Sequence, residues 1–243
     1  MAGKLYIVPT PVGNLGDMTP RAVETLRRVS LILAEDTRTS SPLMKKFEIH
    51  TPMSSHHKFN EHTTVDTFAR RIAAGEDIAL ISDAGTPGIS DPGFMLSRRC
   101  RELGLEVETL PGPTALIPAL VNSGLPIDRF TFEGFLPPKK GRATRLAELA
   151  EEPRTFAIYE SPLRLGRTLA ELAEACGADR PASVSREISK LHDSTVRATL
   201  GELAAHFQSN QPRGEIVIVV SGKPSPERSA HQNKYKHQDT AEK

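Results

Sequence analysis

Cysteine is scarce, tryptophan is absent, and neither sign of charge prevails: the 243 residues include two cysteines and no tryptophan and carry a formal net charge of +1. Cys100 and Cys176 lie far apart in helical patterns. A disulfide framework or cysteine-based metal centre is therefore not expected, and a reducing cytoplasm fits. The eight histidines show no zinc spacing. Their nearest cluster, His56, His57 and His62, reads as a polar loop, and no metal is expected. No apolar run approaches the roughly 20 residues of a membrane span. The start enters a strand directly, so no signal peptide is expected. Balanced charge argues against a globally basic nucleic-acid footprint. Local cation clusters remain: Arg98, Arg99 and Arg101; Lys139, Lys140, Arg142 and Arg145; Arg164 and Arg167.

An apolar content of 38% supports a substantial core. Short apolar strands alternate with amphipathic helices. Strands are expected at 4–8, 31–34, 49–53, 78–81 and 105–110, with helices from Thr19-Pro20, from Ser41-Pro42, over 64–74, and from Pro92 to Leu103 with Asp91 as N-cap. This alternation predicts a mainly parallel α/β sheet. A helix follows Thr114, with Pro118 setting a kink or a later start. Gly124-Leu125-Pro126-Ile127-Asp128 reads as a linker. A second set follows, with strands at 130–135, 155–159, 182–186, 194–199 and 215–220 and helices at 142–151, 163–175 and 201–207. The expected organisation is an N-terminal α/β domain over 1–123, a C-terminal α/β domain over 124–222, and a polar, disordered tail over 223–243. Two such domains would leave a cleft between them, a common ligand location.

Residues 80–93, LISDAGTPGISDPG, are the most informative stretch. A strand runs into a loop with three glycines and two prolines. Glycine allows close backbone approach and proline fixes the path. Such a loop at a strand's carboxyl end is where α/β sheets bind small ligands. The loop Pro9-Thr10-Pro11-Val12-Gly13-Asn14-Leu15-Gly16-Asp17 resembles a phosphate cradle but lacks the dinucleotide and P-loop patterns. Ala34-Glu35-Asp36-Thr37-Arg38 is both a common helix entry and a suitable carboxylate–cation corner.

Together these stretches resemble the ribosomal-RNA small-subunit methyltransferase I family, a branch of the tetrapyrrole methylase superfamily. The matching segments are LYIVPTPVGNLGDMTPRA, LAEDTRTS, ALISDAGTPGISDPG, LPGPTALIPAL, FEGFLPPKKGR, YESPLRL, SREISK and GEIVIVVSG, running in order from residue 5 to 222. The resemblance implies two α/β domains of the tetrapyrrole methylase type with a cofactor in the interdomain cleft. It also implies a homodimer, S-adenosylmethionine as methyl donor, and 2′-O-methylation of one cytidine in the decoding region of 16S rRNA in the small ribosomal subunit. Longer relatives carry a further helical segment where this chain has its polar tail.

By the same resemblance the donor contacts Gly85, Thr86, Pro87, Gly88, Ile89, Ser90, Thr114, Ala115 and Tyr159, with the chain near Val184 to Arg186 as a further contact. A ribose hydroxyl is a poor nucleophile and gains from a positioned base. Glu35, Asp36, His57, Glu160 and Glu187 are the candidates, Glu35 and Asp36 leading because Arg38 beside them suits an RNA phosphate. Lys139, Lys140 and Arg142 are expected to contact RNA, since cations at a helix start oppose its dipole. Two other readings are a tetrapyrrole C-methyltransferase and a non-catalytic ribosome-associated binding protein.

Overall fold

The computed structural model describes residues 1–57 and 60–224; Lys58, Phe59 and most of the expected tail, from 225 onward, lie outside them. The chain divides into two units, Met1–Ala115 with Ser189–Leu191, and Leu116–Ile188 with the chain from His192. The division precedes the expected linker at 124–128.

The first unit is a parallel sheet of β1 (Lys4–Ile7), β2 (Leu31–Ala34), β3 (Met53–Ser55), β4 (Ile78–Ile81) and β5 (Glu106–Thr109), in the order β3-β2-β4-β1-β5. Side chains alternate across it, as a strand's period of two requires. Leu5, Ile7, Leu33, Ile78 and Leu80 face one layer with Phe68, Ile72 and Leu96. Tyr6, Val8, Ile32, Ala34, Ala79 and Ile81 face the other, with Leu26 and Met44. The helices supplying those layers are α1 (Pro20–Arg28), α2 (Thr37–Lys46), α3 (Glu61–Ala73) and α4 (Phe94–Glu102). Each large apolar side chain removed from water contributes roughly 2 kcal/mol. Because the strands are parallel, the loops after all of them leave at the same sheet end.

Several boundaries differ from expectation, among them the start of α3, at Glu61 rather than Thr64. Strand β3 begins at Met53, where the expected strand over 49–53 ends. Helix α2 starts at Thr37 rather than Ser41, because the Asp36 carboxylate accepts from the Arg38 backbone N–H and caps it. Helix α4 starts at Phe94 rather than Pro92. Gly93 turns the chain with φ 138°, and the cap comes from Glu61, whose carboxylate accepts from the N–H groups of Gly93 (3.2 Å) and Met95 (3.3 Å).

The second unit is a mixed sheet of β6 (Phe130–Phe135), β7 (Thr155–Glu160), β8 (Pro181–Arg186), β9 (Ser194–Thr199) and β10 (Ile216–Val220), ordered β6-β7-β10-β8-β9. Only β6 and β7 pair in parallel. The connection from β8 to β9 is too short for the crossover that a parallel pair needs. Helices α6 (Arg142–Glu151), α7 (Leu165–Cys176) and α8 (Leu200–Ser209) cover one face through Leu149, Leu169, Leu172 and Leu203. Helix α5 (Leu116–Ser123) packs on β8, β9 and β10, which is why the division falls before it. Pro118 sits in its first turn, where no intrahelical donor is lost. No described helix is long and apolar enough to cross a membrane.

Candidate active site

The loops after β1, β4 and β5 are tied together through backbone groups. Thr10 and Gly85 exchange both their N–H···O bonds at 2.9 Å. The Thr10 hydroxyl donates to Ser82 O (3.1 Å) and the Thr86 hydroxyl to Pro113 O (3.0 Å). Gly112 lies so close to Pro9 that a Cβ there would meet the proline ring at 2.7 Å. Gly85 holds φ 79°, and a Cβ on it would already touch Val12. Gly88 holds φ 86° with open space beyond it, and Ser90 shares the left-handed region at φ 69°. The result is a braced loop whose surface is mostly backbone. Thr114 and Ala115 follow in the adjoining loop after β5 and are partly buried.

A carboxylate cluster stands beside that loop, at the adjacent ends of β2 and β4. The Asp36 backbone N–H donates to Asp83 Oδ1 (3.2 Å), and the Asp83 backbone N–H donates to the Glu35 carboxylate. Arg38 clamps Asp36 from its Nε (3.1 Å) and Nη2 (2.7 Å). This bidentate grip holds the Asp36 carboxyl down to about 2. Glu35 behaves oppositely. Burial, then the charges of Asp83 and Asp36, raise its pKa above the ordinary carboxylate value, with the Asp83 N–H and His57 acting against the rise. Asp83 is also raised, by burial and by Asp36. The two leading candidates thus have different chemistry: Asp36 is a weak base committed to Arg38, and Glu35 is the stronger base. Asp83 was missed in the sequence because only strand adjacency brings it to residues 35 and 36. His57 follows β3, its backbone N–H donating to Asn60 Oδ1 (2.7 Å).

The remaining expected site residues lie in the second unit. Tyr159 sets its ring edge-on to Phe132 (4.9 Å) and Phe135 (5.8 Å). Glu160 is buried at the end of β7, both oxygens hydrogen-bonded. Glu187, at φ 53°, accepts from the Glu215 N–H (2.9 Å) and extends the β8–β10 pairing. Lys139 and Lys140 are exposed. Arg142 is not: it is 5% exposed, with Nε on Glu171 (2.7 Å), Nη1 on Pro137 O (3.1 Å) and Nη2 on the Thr168 hydroxyl (2.7 Å). Its guanidinium is inside the unit and its donors are used there, so the expectation of an RNA contact is corrected. Arg145, one turn on, is held by Glu133 and Glu148.

The family described as Tetrapyrrole (Corrin/Porphyrin) Methylases matches residues 4–204. A Synechocystis sp. protein called Ribosomal RNA small subunit methyltransferase I is 51% identical over 90% of this chain and 79% of its own length. A Thermotoga maritima protein of the same description is 45% identical over 91% of this chain and 99% of its own length. Among solved structures, uroporphyrin-III C-methyltransferase from Thermus thermophilus, complexed with S-adenosyl homocysteine, superposes with a TM-score of 0.62. It is 19% identical and covers 90% of this chain and 97% of its own, a likeness of fold. With that extent of identity and a braced loop built from its most distinctive motif, the chain belongs to the tetrapyrrole methylase family, in the ribosomal RNA small subunit methyltransferase I branch.

Proposed function

We propose that the chain is an S-adenosylmethionine-dependent methyltransferase of small-subunit ribosomal RNA, and that the atom methylated is the 2′-oxygen of a cytidine. The observation that carries the chemistry is the braced 85–90 loop lying next to a carboxylate raised by its surroundings. The residues fit the donor. Open space beyond Gly88 admits a ligand against bare backbone, and three carboxylates with one guanidinium suit a cationic sulfonium. When bound, the donor supplies an electrophilic methyl group that needs no activation by the protein beyond alignment. The backbone of Gly85 to Ser90, with Thr114 and Ala115, holds it. Glu35 accepts the proton of the ribose hydroxyl. Asp36 keeps Arg38 oriented for an RNA phosphate. The homodimer, the assembled subunit as substrate and a cytoplasmic location belong to the same proposal. Tetrapyrrole methylation is disfavoured because the likeness to those enzymes is one of fold, whereas the RNA methyltransferase relatives reach 51% identity.

Methyl transfer to small subunits lacking the modification, with the methyl group mapped to nucleotide and atom, tests the function. Incorporation into a base, or none, refutes it. The donor site has its own test. Gly85→Val would place a branched side chain at φ 79° against Val12. The variant should remain folded by circular dichroism and lose at least about tenfold in donor affinity by calorimetry, given the roughly 1–3 kcal/mol scale of such strain. Unchanged affinity would move the donor elsewhere.

With Arg142 buried, Lys139 and Lys140 remain as the exposed cations of their loop. Changing both to alanine should lower the log–log salt slope of small-subunit binding by about one unit per contact. A slope identical to wild type would make the loop an ordinary solvated surface.

A further inference from the structure

Strand β6 breaks its pairing with β7 at one point. Phe132 pairs with Ala157 and Gly134 with Ile158, which leaves Glu133 as the extra residue of a β-bulge, with Gly134 at φ 61°. Bulges re-aim a side chain and are common beside functional sites. Here the re-aimed side chain is a carboxylate only 8% exposed. Its Oε2 accepts from Arg145 Nε (2.6 Å) and Nη2 (2.5 Å), while Oε1 accepts no hydrogen bond among the described residues. A second carboxylate, Glu148, takes Arg145 Nη1 and fixes the guanidinium from its other side.

Glu133 lines a cavity of about 420 Å³ together with Phe135, Pro137, Gly141, Thr144 and Arg145. That volume is in the range of small-ligand sites. Phe135 is 54% exposed, a large aromatic surface on the wall, steadied by Tyr159 at 5.8 Å. Lys139 and Lys140 stand exposed in the loop between Pro137 and Gly141. A structural ion pair alone would not require a ladder break, and Oε1, unpartnered yet not sealed from solvent, is an acceptor available to a ligand. An open acceptor, an exposed ring and nearby lysines together suit a donor group on a flat, stackable ligand whose neighbours are anionic.

We infer that this pocket receives one unstacked nucleobase of the RNA substrate, a base bearing an exocyclic amine, which donates to Glu133 Oε1 while its ring lies on Phe135. Carboxylate acceptors read the amine of cytosine in just this way, and an exposed aromatic stacks any base. Uracil presents a carbonyl oxygen where the amine would be, and two acceptors repel, so the pocket selects against it. Arg145 is a positioning residue that holds the carboxylate in place. The inference rests on the RNA methyltransferase reading above and adds how a nucleotide is recognised.

The test uses full-length enzyme and small subunits whose RNA carries uridine in place of each amine-bearing nucleotide at and beside the methylated position. Wild-type methyl transfer to unaltered subunits comes first; its absence removes the RNA reading, and the pocket's role with it. Given that transfer, wild type should disfavour uridine at one position by at least about tenfold in kcat/KM. Glu133→Gln, whose amide can also donate, should reduce that preference to within about threefold while leaving donor affinity unchanged. Phe135→Ala, truncating an exposed ring, should raise the KM for subunits about tenfold without altering kcat or the melting temperature. Preference retained in Glu133→Gln, or an unchanged KM in Phe135→Ala, overturns the inference while the methyltransferase function stands. If Glu133→Gln fails to fold, the Phe135→Ala measurement decides.

Discussion

Glu35→Gln is expected to lower kcat for methyl transfer by about 100-fold or more, the usual scale for loss of a general base, with donor affinity unchanged by calorimetry. The argument rests on the difference between neighbouring carboxylates. Asp36 is held at about 2 by Arg38 and has little appetite for a proton. Glu35 is raised by burial and by Asp83 and Asp36, closer to the value an effective base needs. The sign of the pH dependence follows. Glu35 works deprotonated, so activity falls as pH drops through its raised pKa, and the acid limb lies above that of an ordinary carboxylate. Glu35→Gln removes the limb. Asp83→Asn removes a like charge and shifts the limb to lower pH. Stability runs the other way. A carboxyl whose pKa is higher in the folded chain than in the unfolded one binds its proton more tightly when folded, so it favours folding less as pH rises through that window. Glu35→Gln should therefore melt no lower than wild type at neutral pH. A kcat within about twofold of wild type would pass the role to His57, the candidate on this unit that remains once Asp36 is committed to Arg38.

Glu160→Ala should behave in the opposite manner, a large loss of stability with catalysis intact. The Glu160 side chain has no exposed surface. Its Oε1 accepts from the Ser161 N–H (2.7 Å) and from Arg164 Nε (2.8 Å), and its Oε2 from the Thr168 hydroxyl (2.6 Å). That hydroxyl in turn accepts from the buried Arg142, which reaches on to Glu171. Removing the carboxylate leaves the Thr168 hydroxyl and the Ser161 N–H without their acceptor and Arg164 without its anion, and loosens the Thr168 hydroxyl that Arg142 holds. Breaking such a buried network costs about 3 kcal/mol, or roughly 10 °C in melting temperature for a chain of this size. The folded protein, assayed well below its midpoint, should keep its turnover within about twofold. Lost turnover with an unchanged midpoint would restore Glu160 to the catalytic candidates.

Legibility followed the range of the interactions. The donor loop could be read because its signal is local: Gly85, Pro87, Gly88, Pro92 and Gly93 are dense in one stretch after a strand, and each acts on its own backbone. The alternation of β1 to β5 with their helices was legible from period alone. Asp91-Pro92 looked like a helix cap and first position, yet the cap is Glu61, 32 residues before Gly93, and no local pattern carries that. Arg142 looked like a surface cation at a helix start. Its partners Thr168 and Glu171 are 26 and 29 residues further on, in a helix whose packing against α6 is a tertiary fact. The bulge at Glu133 is likewise invisible without the β7 register that defines it.

The position of β10 has a consequence for how the chain is made. It is the last of the described strands in sequence and the middle one of its sheet, between β7 and β8. All five of its residues, Ile216 to Val220, are buried. Until it emerges from the ribosome, β7 and β8 each present an unpaired edge, and at roughly 5–20 residues per second that interval lasts on the order of seconds. Once released, an uncharged β-branched segment of this kind pairs readily with the wrong strand. Completion of this sheet therefore waits on the step most exposed to aggregation. A chain stalled or cut before Ile216 would hold two half-sheets with open facing edges, a substrate for chaperones and proteases rather than a smaller working protein.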